Sequence, residues 1–191
     1  MKKTSLLELE SDAFSAGQIQ SKIWLVETLE ECLGPDASPQ TIWLLAGWYG
    51  LTNLIIRARG CIPVSLVRSF DSDPECEPIA DKINNLWEWQ NWQFKAFTKD
   101  INEIDWSSPP DIVINSSVEH LTTKEWYWKI PPGTLVVLQA SNLDHDDHVA
   151  EYMSLEDLTR EFPVEHELYS GTRVFDFGNG SVSRYMLIGR R

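Results

Sequence analysis

Apolar positions switch between two spacings along this chain. Ile19, Ile23, Leu25, Val26, Leu29 and Leu33 recur at helical intervals, so residues 5–33 read as a helix, and Gly34-Pro35 stops it. Gly17 interrupts it early. Compact apolar runs then alternate with helical stretches. Residues 40–46 read as a strand, Gly47-Trp48-Tyr49-Gly50 as a turn, and 51–59 as a helix closed by Gly60. Residues 63–70 form a second strand, and Pro74 suits the first turn of a helix over 75–86. Residues 94–97, 111–115 and 134–139 read as three more strands, with a helix over 119–128 before the last. Residues 87–92 carry neither spacing. Ser154-Leu155-Glu156-Asp157 is a capping box that opens a helix, and Pro163 ends it. Two final strands, 165–177 and 181–188, are joined through Gly178-Asn179-Gly180, which is hairpin chemistry.

Strands alternating with helices predict an α/β fold. We expect a doubly wound, mostly parallel seven-stranded sheet with a C-terminal antiparallel β-hairpin. Residues 1–38 form an N-terminal helical cap on a Rossmann-like domain over 39–191, together one structural unit.

Composition narrows the function classes. The 191 residues are 42% hydrophobic and 24% charged, as in ordinary globular domains. No apolar run is long enough to span a bilayer, and the N-terminus lacks the apolar stretch of a secretory signal. The three cysteines, Cys32, Cys61 and Cys76, are too scattered for a disulfide framework or a zinc motif. A cytoplasmic protein is expected. The net charge of -13 repels phosphate backbones, so nucleic acid is not an expected partner. Arg184, Arg190 and Arg191 read as solvated tail charges. The nine Trp residues, with Trp87, Trp89 and Trp92 in one group and Trp126 and Trp128 in another, read as core and crevice packing.

The candidate chemistry starts at the first turn. Glycines after a strand let the backbone approach a ligand, and the following helix offers free N–H groups. Asp71 lies 21 residues beyond Gly50, at the end of the second strand, where a carboxylate accepts from both ribose hydroxyls of a nucleoside. The bland alternative is an ordinary turn with a helix-capping Asp. Asn115, Ser116 and Ser117 end the fourth strand, which suits a ligand crevice or an Asx turn. His120 at that rim suits a general base, although Glu119 and His120 also suit a helix start. His145 and His148 form an HxxH in a charged loop, which is more often solvated than metal-bound. Gln18 and Lys22 reach a ligand if the first helix covers the site. The competing expectation is a surface helix packed through Ile19 and Ile23.

Residues 44–50, 70–74 and 115–121, with the closing hairpin, resemble the class I S-adenosylmethionine-dependent methyltransferases. The resemblance covers roughly residues 40–190. It implies S-adenosylmethionine as cofactor and methyl transfer to a small-molecule acceptor. Phe70-Asp71-Ser72-Asp73-Pro74 looks like that family's second motif, whose acid holds the ribose, and Asp100 sits where a residue often lies near the adenine. The implied cofactor contacts are Gly47, Trp48, Tyr49, Gly50, Asp71, Ser72, Asp100, Asn115 and Ser116. Glu119 and His120 are the implied catalytic pair, with His120 as general base.

Two departures are visible. Leu45 stands where a Gly-x-Gly-x-x-Gly spacing has its first Gly, and Trp48 and Tyr49 are bulky for the loop. Residues 116–120 resemble the Glu-x-x-Glu-His stretch of oxygen-directed members, which holds a divalent metal, but Ser116 replaces the first acid. No metal ligand is therefore assigned. Three rivals stay open: another reaction of S-adenosylmethionine, such as aminocarboxypropyl transfer or cleavage; an NAD-type dinucleotide protein; and a binding or regulatory protein without turnover. The acceptor and the oligomeric state are not readable from the sequence.

Overall fold

The computed structural model describes residues 10–88, 91–146, 148–176 and 180–191. The expected turn residues Gly178 and Asn179, as well as Trp89, lie outside the described residues. So does the start of the expected first helix.

Seven strands form one sheet: β1 (Gln40–Leu45), β2 (Val64–Asp71), β3 (Phe94–Thr98), β4 (Ile112–Asn115), β5 (Leu135–Ser141), β6 (His166–Asp176) and β7 (Ser181–Arg190). Their order is β3-β2-β1-β4-β5-β7-β6. The first five pair in parallel. β7 runs antiparallel to both β5 and β6, so the closing hairpin is present as expected. The chain winds outward from β1 to β3, then returns to β4 on the other side of β1. Loops leaving β1 and β4 therefore diverge and open a crevice at the strands' carboxyl ends.

Both faces of the sheet are covered, and side chains one position apart go to opposite faces. Ile112, Ile114, Leu135, Val137, Met186 and Ile188 pack with Trp24, Leu25, Val26 and Leu29 of helix α1 (Ala16–Leu33) and with Ile56 of α2 (Leu51–Arg59). Val113, Val136, Leu138, Ala140 and Leu187 pack on the other face, against Trp126, Leu158 and Phe162. Trp24 and Trp126 are core residues, whereas Trp92 and Trp128 are exposed.

Three local expectations are corrected. The first helix begins at Ala16, capped by Ser15, after a separate 3₁₀ turn over Ser11–Phe14; Gly17 sits inside its first turn rather than breaking it. The helix expected over 75–86 divides into α3 (Cys76–Ile83) and α4 (Asn85–Glu88). Asn84 divides them because its amide nitrogen donates back to Ala80 O at 2.9 Å and to Gly50 O at 3.4 Å. The helix expected over 119–128 is a 3₁₀ turn, Val118–His120, followed by the short α5 (Glu125–Lys129). Asn115 Oδ1 accepts from Ser117 N at 3.0 Å, so the chain leaves β4 in an Asx turn that a helix cannot continue. The capping box forms as expected and opens α6 (Leu155–Glu161). Among the described residues no helix is long and apolar enough to cross a membrane.

Candidate functional site

The turn after β1 is held tightly from within. Gly47 N donates to Phe70 O at 3.0 Å, and a Cβ at Gly47 would fall against Ser69 Oγ. Glycine is thus needed here for the approach of β1 to β2. Gly50 has φ +67°, and a Cβ there would lie 2.8 Å from Asn84 Nδ2 and 3.0 Å from Phe94 Cζ. Ala46 and Trp48 also have positive φ, 50° and 47°, which is strained backbone for side chains of L configuration. Trp48 N donates to Asp71 Oδ2 at 2.8 Å, and Asp73 N donates to Asp71 Oδ1 at 3.1 Å. Asp71 therefore stands at the end of β2 and organises the turn across from it.

The other residues expected around a cofactor divide by environment. Tyr49 is buried with Ala13, Cys76 and Ile79, so its ring joins the 3₁₀ turn to α3. Trp48 is half-buried beside it, with ring centroids 5.2 Å apart. Ser72 and Asp100 are exposed, and Asp100 caps the 3₁₀ turn after β3 by accepting from Asn102 N at 2.8 Å. Asn115 and Ser116 are buried at the end of β4, and Asn115 Nδ2 has no hydrogen-bond partner among the described residues.

A second cluster lies under α1, and most of it was not expected from sequence. The α1 face of β5 and β7 is apolar at Leu135, Val137, Ile188 and Met186 and then turns polar, at Gln139 and Ser141 on β5 and Arg184 on β7. Gln139 exchanges hydrogen bonds with Ser21, at 3.2 and 3.3 Å. Ser141 Oγ donates to Glu119 Oε1 at 2.9 Å. Glu119 is 1% exposed, and its Oε2 has no partner among the described residues. Lys22 is 7% exposed and donates to Gln18 Oε1 at 2.6 Å. Burial pulls its ammonium down to about 7; Arg184 pushes the same way, and Glu119 and Asp12 oppose. Burial also lowers Arg184, again opposed by Glu119 and Asp12. Burial, with Glu119 second, raises the Tyr152 phenol, whose hydroxyl has no partner among the described residues.

Lys22 corrects the expected face of α1. The buried stripe runs through Ser21, Lys22, Leu25, Val26 and Leu29, while Ile19 and Ile23 are only half-buried. A signal was present, since Gln18, Lys22 and Val26 share the i, i+4 spacing of one helix face. Arg184 carried a similar signal: it occupies the same face as Met186 and Ile188 in an alternating strand.

Glu119 and His120 sit between the two regions. The Glu119 carbonyl accepts from Val149 N and Ala150 N at 3.0 and 3.1 Å, which ties the loop after β5 to the turn after β4. His120 is exposed, its ring centroid 4.6 Å from that of His148. His145 lies 5.8 Å from His148, centroid to centroid. One ligand atom from each of Glu119, His120 and His148 lies within 4.8 Å of the other two, a separation at which three groups can share a cation. The fold thus gathers His120 with His148, which is half-buried rather than solvated as expected for its charged loop.

No protein-family model matches the sequence, and no curated protein matches it. Solved structures do. N-methyltransferase NodS from Bradyrhizobium japonicum, in complex with S-adenosylhomocysteine, superposes with a TM-score of 0.67 at 11% identity, covering 92% of this chain and 88% of that one. A putative sarcosine dimethylglycine methyltransferase from Galdieria sulphuraria gives 0.65 at 10% identity, over 91% and 86%. The fold is that of the class I S-adenosylmethionine-dependent methyltransferases. A third example is the 1,6-didemethyltoxoflavin-N1-methyltransferase of Burkholderia thailandensis, with bound 1,6-didemethyltoxoflavin and S-adenosylhomocysteine, at 0.64 and 13% identity, over 95% and 83%. At these identities the likeness is one of fold. Within this methyltransferase fold, the turn after β1, Asp71 and Asn115 lie at the carboxyl ends of β1, β2 and β4, on either side of the switch point, and Glu119 and His120 follow in the turn after β4.

Proposed function

We propose that this protein transfers the methyl group of S-adenosylmethionine to a small-molecule acceptor, with His120 as general base. The observation that carries the reading is the placement of the Asp71 carboxylate and the buried Asn115 amide nitrogen, which lacks a partner among the described residues, at the carboxyl ends of the two strands that flank β1. These residues fit a nucleoside. Each Asp71 oxygen accepts one loop N–H and keeps capacity for a ribose hydroxyl, and Asn115 Nδ2 lacks an acceptor that a ligand would supply. Gly47, Trp48, Asp71, Ser72, Asn115 and Ser116 would hold the cofactor, with Asp100 at its rim and Tyr49 and Gly50 shaping the loop. When bound, the cofactor supplies an electrophilic methyl group on a sulfonium.

The protein's task is then to position an acceptor and to take its proton. An imidazole nitrogen of His120 receives that proton. His148 packs edge-on against the ring, at an interplanar angle of 88°, and limits its rotation. Glu119, anchored by Ser141, holds the turn that carries His120. The rest is alignment in a partly closed crevice. Free Cys32, Cys61 and Cys76 suit a reducing, cytoplasmic setting.

A dinucleotide reading is disfavoured because antiparallel β7 lies between β5 and β6, unlike the all-parallel 3-2-1-4-5-6 order of Rossmann proteins. One observation favours a protein that binds without turnover: Asp71 already engages Trp48 N, in a loop with two strained residues. Calorimetric titration with S-adenosylmethionine and S-adenosylhomocysteine, on the native protein and Asp71→Ala, tests the proposal. Micromolar binding that the variant loses is the expected result. No binding of either ligand to the native protein refutes it.

A further inference from the structure

Methyl transfer as described leaves Arg184 and Lys22 unused. The hairpin register sets Arg173 directly opposite Arg184, so both side chains project from the same face of the sheet, the face that α1 covers. The Arg173 guanidinium lies 5.7 Å from the Trp24 ring, also on α1. Arg184 is close enough to Lys22 to oppose its protonation. Like charges set across a strand pair destabilise it, and a chain of net charge -13 has no general need to crowd its few cations.

Arg184 is the sharpest of the three. It is 9% exposed, and among the described residues no hydrogen bond or ion pair engages its guanidinium. Asp12 and Glu119 act on it only through their fields. It lines a cavity of about 510 Å³ between the N-terminal segment and the β6–β7 hairpin, with Asp12, Ser15, Gln18 and Ser181 also on the walls. That volume falls in the range of small-molecule sites. A largely buried guanidinium that opens only toward a cavity is placed to gain a charge-assisted pair of hydrogen bonds from an anion bound there. Gly47, Asp71 and Asn115 are not on these walls, so the cavity is separate from the nucleoside end of the crevice.

We infer that this cavity receives the carboxylate end of the methyl acceptor, bound by Arg184, while the reacting end extends beyond these walls toward His120. The inference rests on the methyl-transfer reading. A planar carboxylate matches the guanidinium fork. Asp12, on the same walls, repels a dianion and so favours one negative charge over a phosphate; it also offers an amino-carboxylate a partner for its ammonium.

The test is calorimetry on the full chain saturated with S-adenosylhomocysteine. The probes are salicylate, 4-hydroxybenzoate, anthranilate, glycine and sarcosine, each paired with its primary amide. The native protein should bind at least one carboxylate roughly 10- to 100-fold more tightly than its amide, as expected for a charge-assisted pair of hydrogen bonds. Arg184→Gln should erase that preference while keeping S-adenosylhomocysteine affinity, and Arg184→Lys should restore part of it. The native comparison stands alone if either variant fails to fold: no preference for any carboxylate overturns the inference. A second arm compares S-adenosylhomocysteine with 5′-methylthioadenosine, which lacks the amino-acid end. If Arg184→Gln weakens only the former, the guanidinium holds the cofactor's own carboxylate and the acceptor assignment is overturned. If the native protein binds no S-adenosylhomocysteine, the methyl-transfer reading fails by itself. The panel is then titrated without it, and a carboxylate preference lost in Arg184→Gln still supports Arg184 as the anion site, whereas its absence overturns it.

Discussion

The turn after β1 and the polar cluster under α1 are neighbours in the fold, but they are built from very different spans of chain. The turn and its acid occupy residues 45–73, within one strand–helix–strand unit. The hydrogen bonds that set its backbone, from Gly47 N to Phe70 O and from Trp48 N to Asp71, close inside that unit, while Asn84, Phe94 and the packing around Tyr49 brace it from outside. The cluster under α1 joins Lys22, Glu119, Ser141 and Arg184, drawn from a helix, a turn and two strands. No local rule pairs these residues. The turn is strained yet satisfied in its hydrogen bonds, whereas the cluster holds an unpaired Glu119 oxygen and an unengaged guanidinium. Local units optimise their own contacts. Unsatisfied polar groups collect where distant elements converge, and there a ligand can complete them.

The comparison predicts four outcomes. The largest concerns the rim between the regions: His120→Ala should lower kcat for methyl transfer by about 10²- to 10⁴-fold, the usual range for a general base, while S-adenosylhomocysteine binding persists. Turnover that survives the change removes His120 from the mechanism. Next, Lys22→Met should raise stability. Lys22 ionises near 10.5 in an unfolded chain and near 7 when folded, so the native state is penalised fully below pH 7 and less as pH climbs toward 10.5. A gain of roughly 3 kcal/mol in urea denaturation at pH 6, shrinking by pH 9, is expected. A constant or negative effect means the ammonium is well solvated, and the cluster is less buried in solution than its geometry states.

Gly50→Ala tests the turn. Its positive φ and the contacts at 2.8 and 3.0 Å should cost about 2 kcal/mol, and Asn84 must move to admit the methyl group. A neutral outcome in denaturant titration shows a turn looser than its hydrogen bonds imply. The smallest effect belongs to a purely local device. Ser154→Ala removes the side chain that accepts from Asp157 N at 3.2 Å, so thermal denaturation should show a loss of about 1 kcal/mol with ligand binding untouched.

Legibility followed the same divide. The strands, the glycine turn, Asp71 at the end of β2, the capping box and the closing hairpin strands were all visible, because each depends on neighbours within a few positions. The helix expected over 119–128 was misread because Asn115 bonds forward to Ser117, a side-chain choice that overrides the apolar pattern that follows. The face of α1 is as expected at Leu25, Val26 and Leu29 but differs in its first turns, where Ile19 and Ile23 look like core residues beside a lysine. Only the approach of β5 and β7 shows that Ser21 and Lys22 are the buried ones.

By itself, then, the sequence determined the succession of elements and the residues at the ends of β1, β2 and β4, since hydrophobic period, glycine and proline act over one or two turns of chain. The tertiary structure alone decided which polar residues lie together without water. His120 meets His148, and Lys22 lies near Glu119 and Arg184, only because the return of the chain from β3 to β4 and the antiparallel insertion of β7 bring those segments side by side. Burial and mutual charge are properties of that meeting, and no short stretch of the chain encodes them.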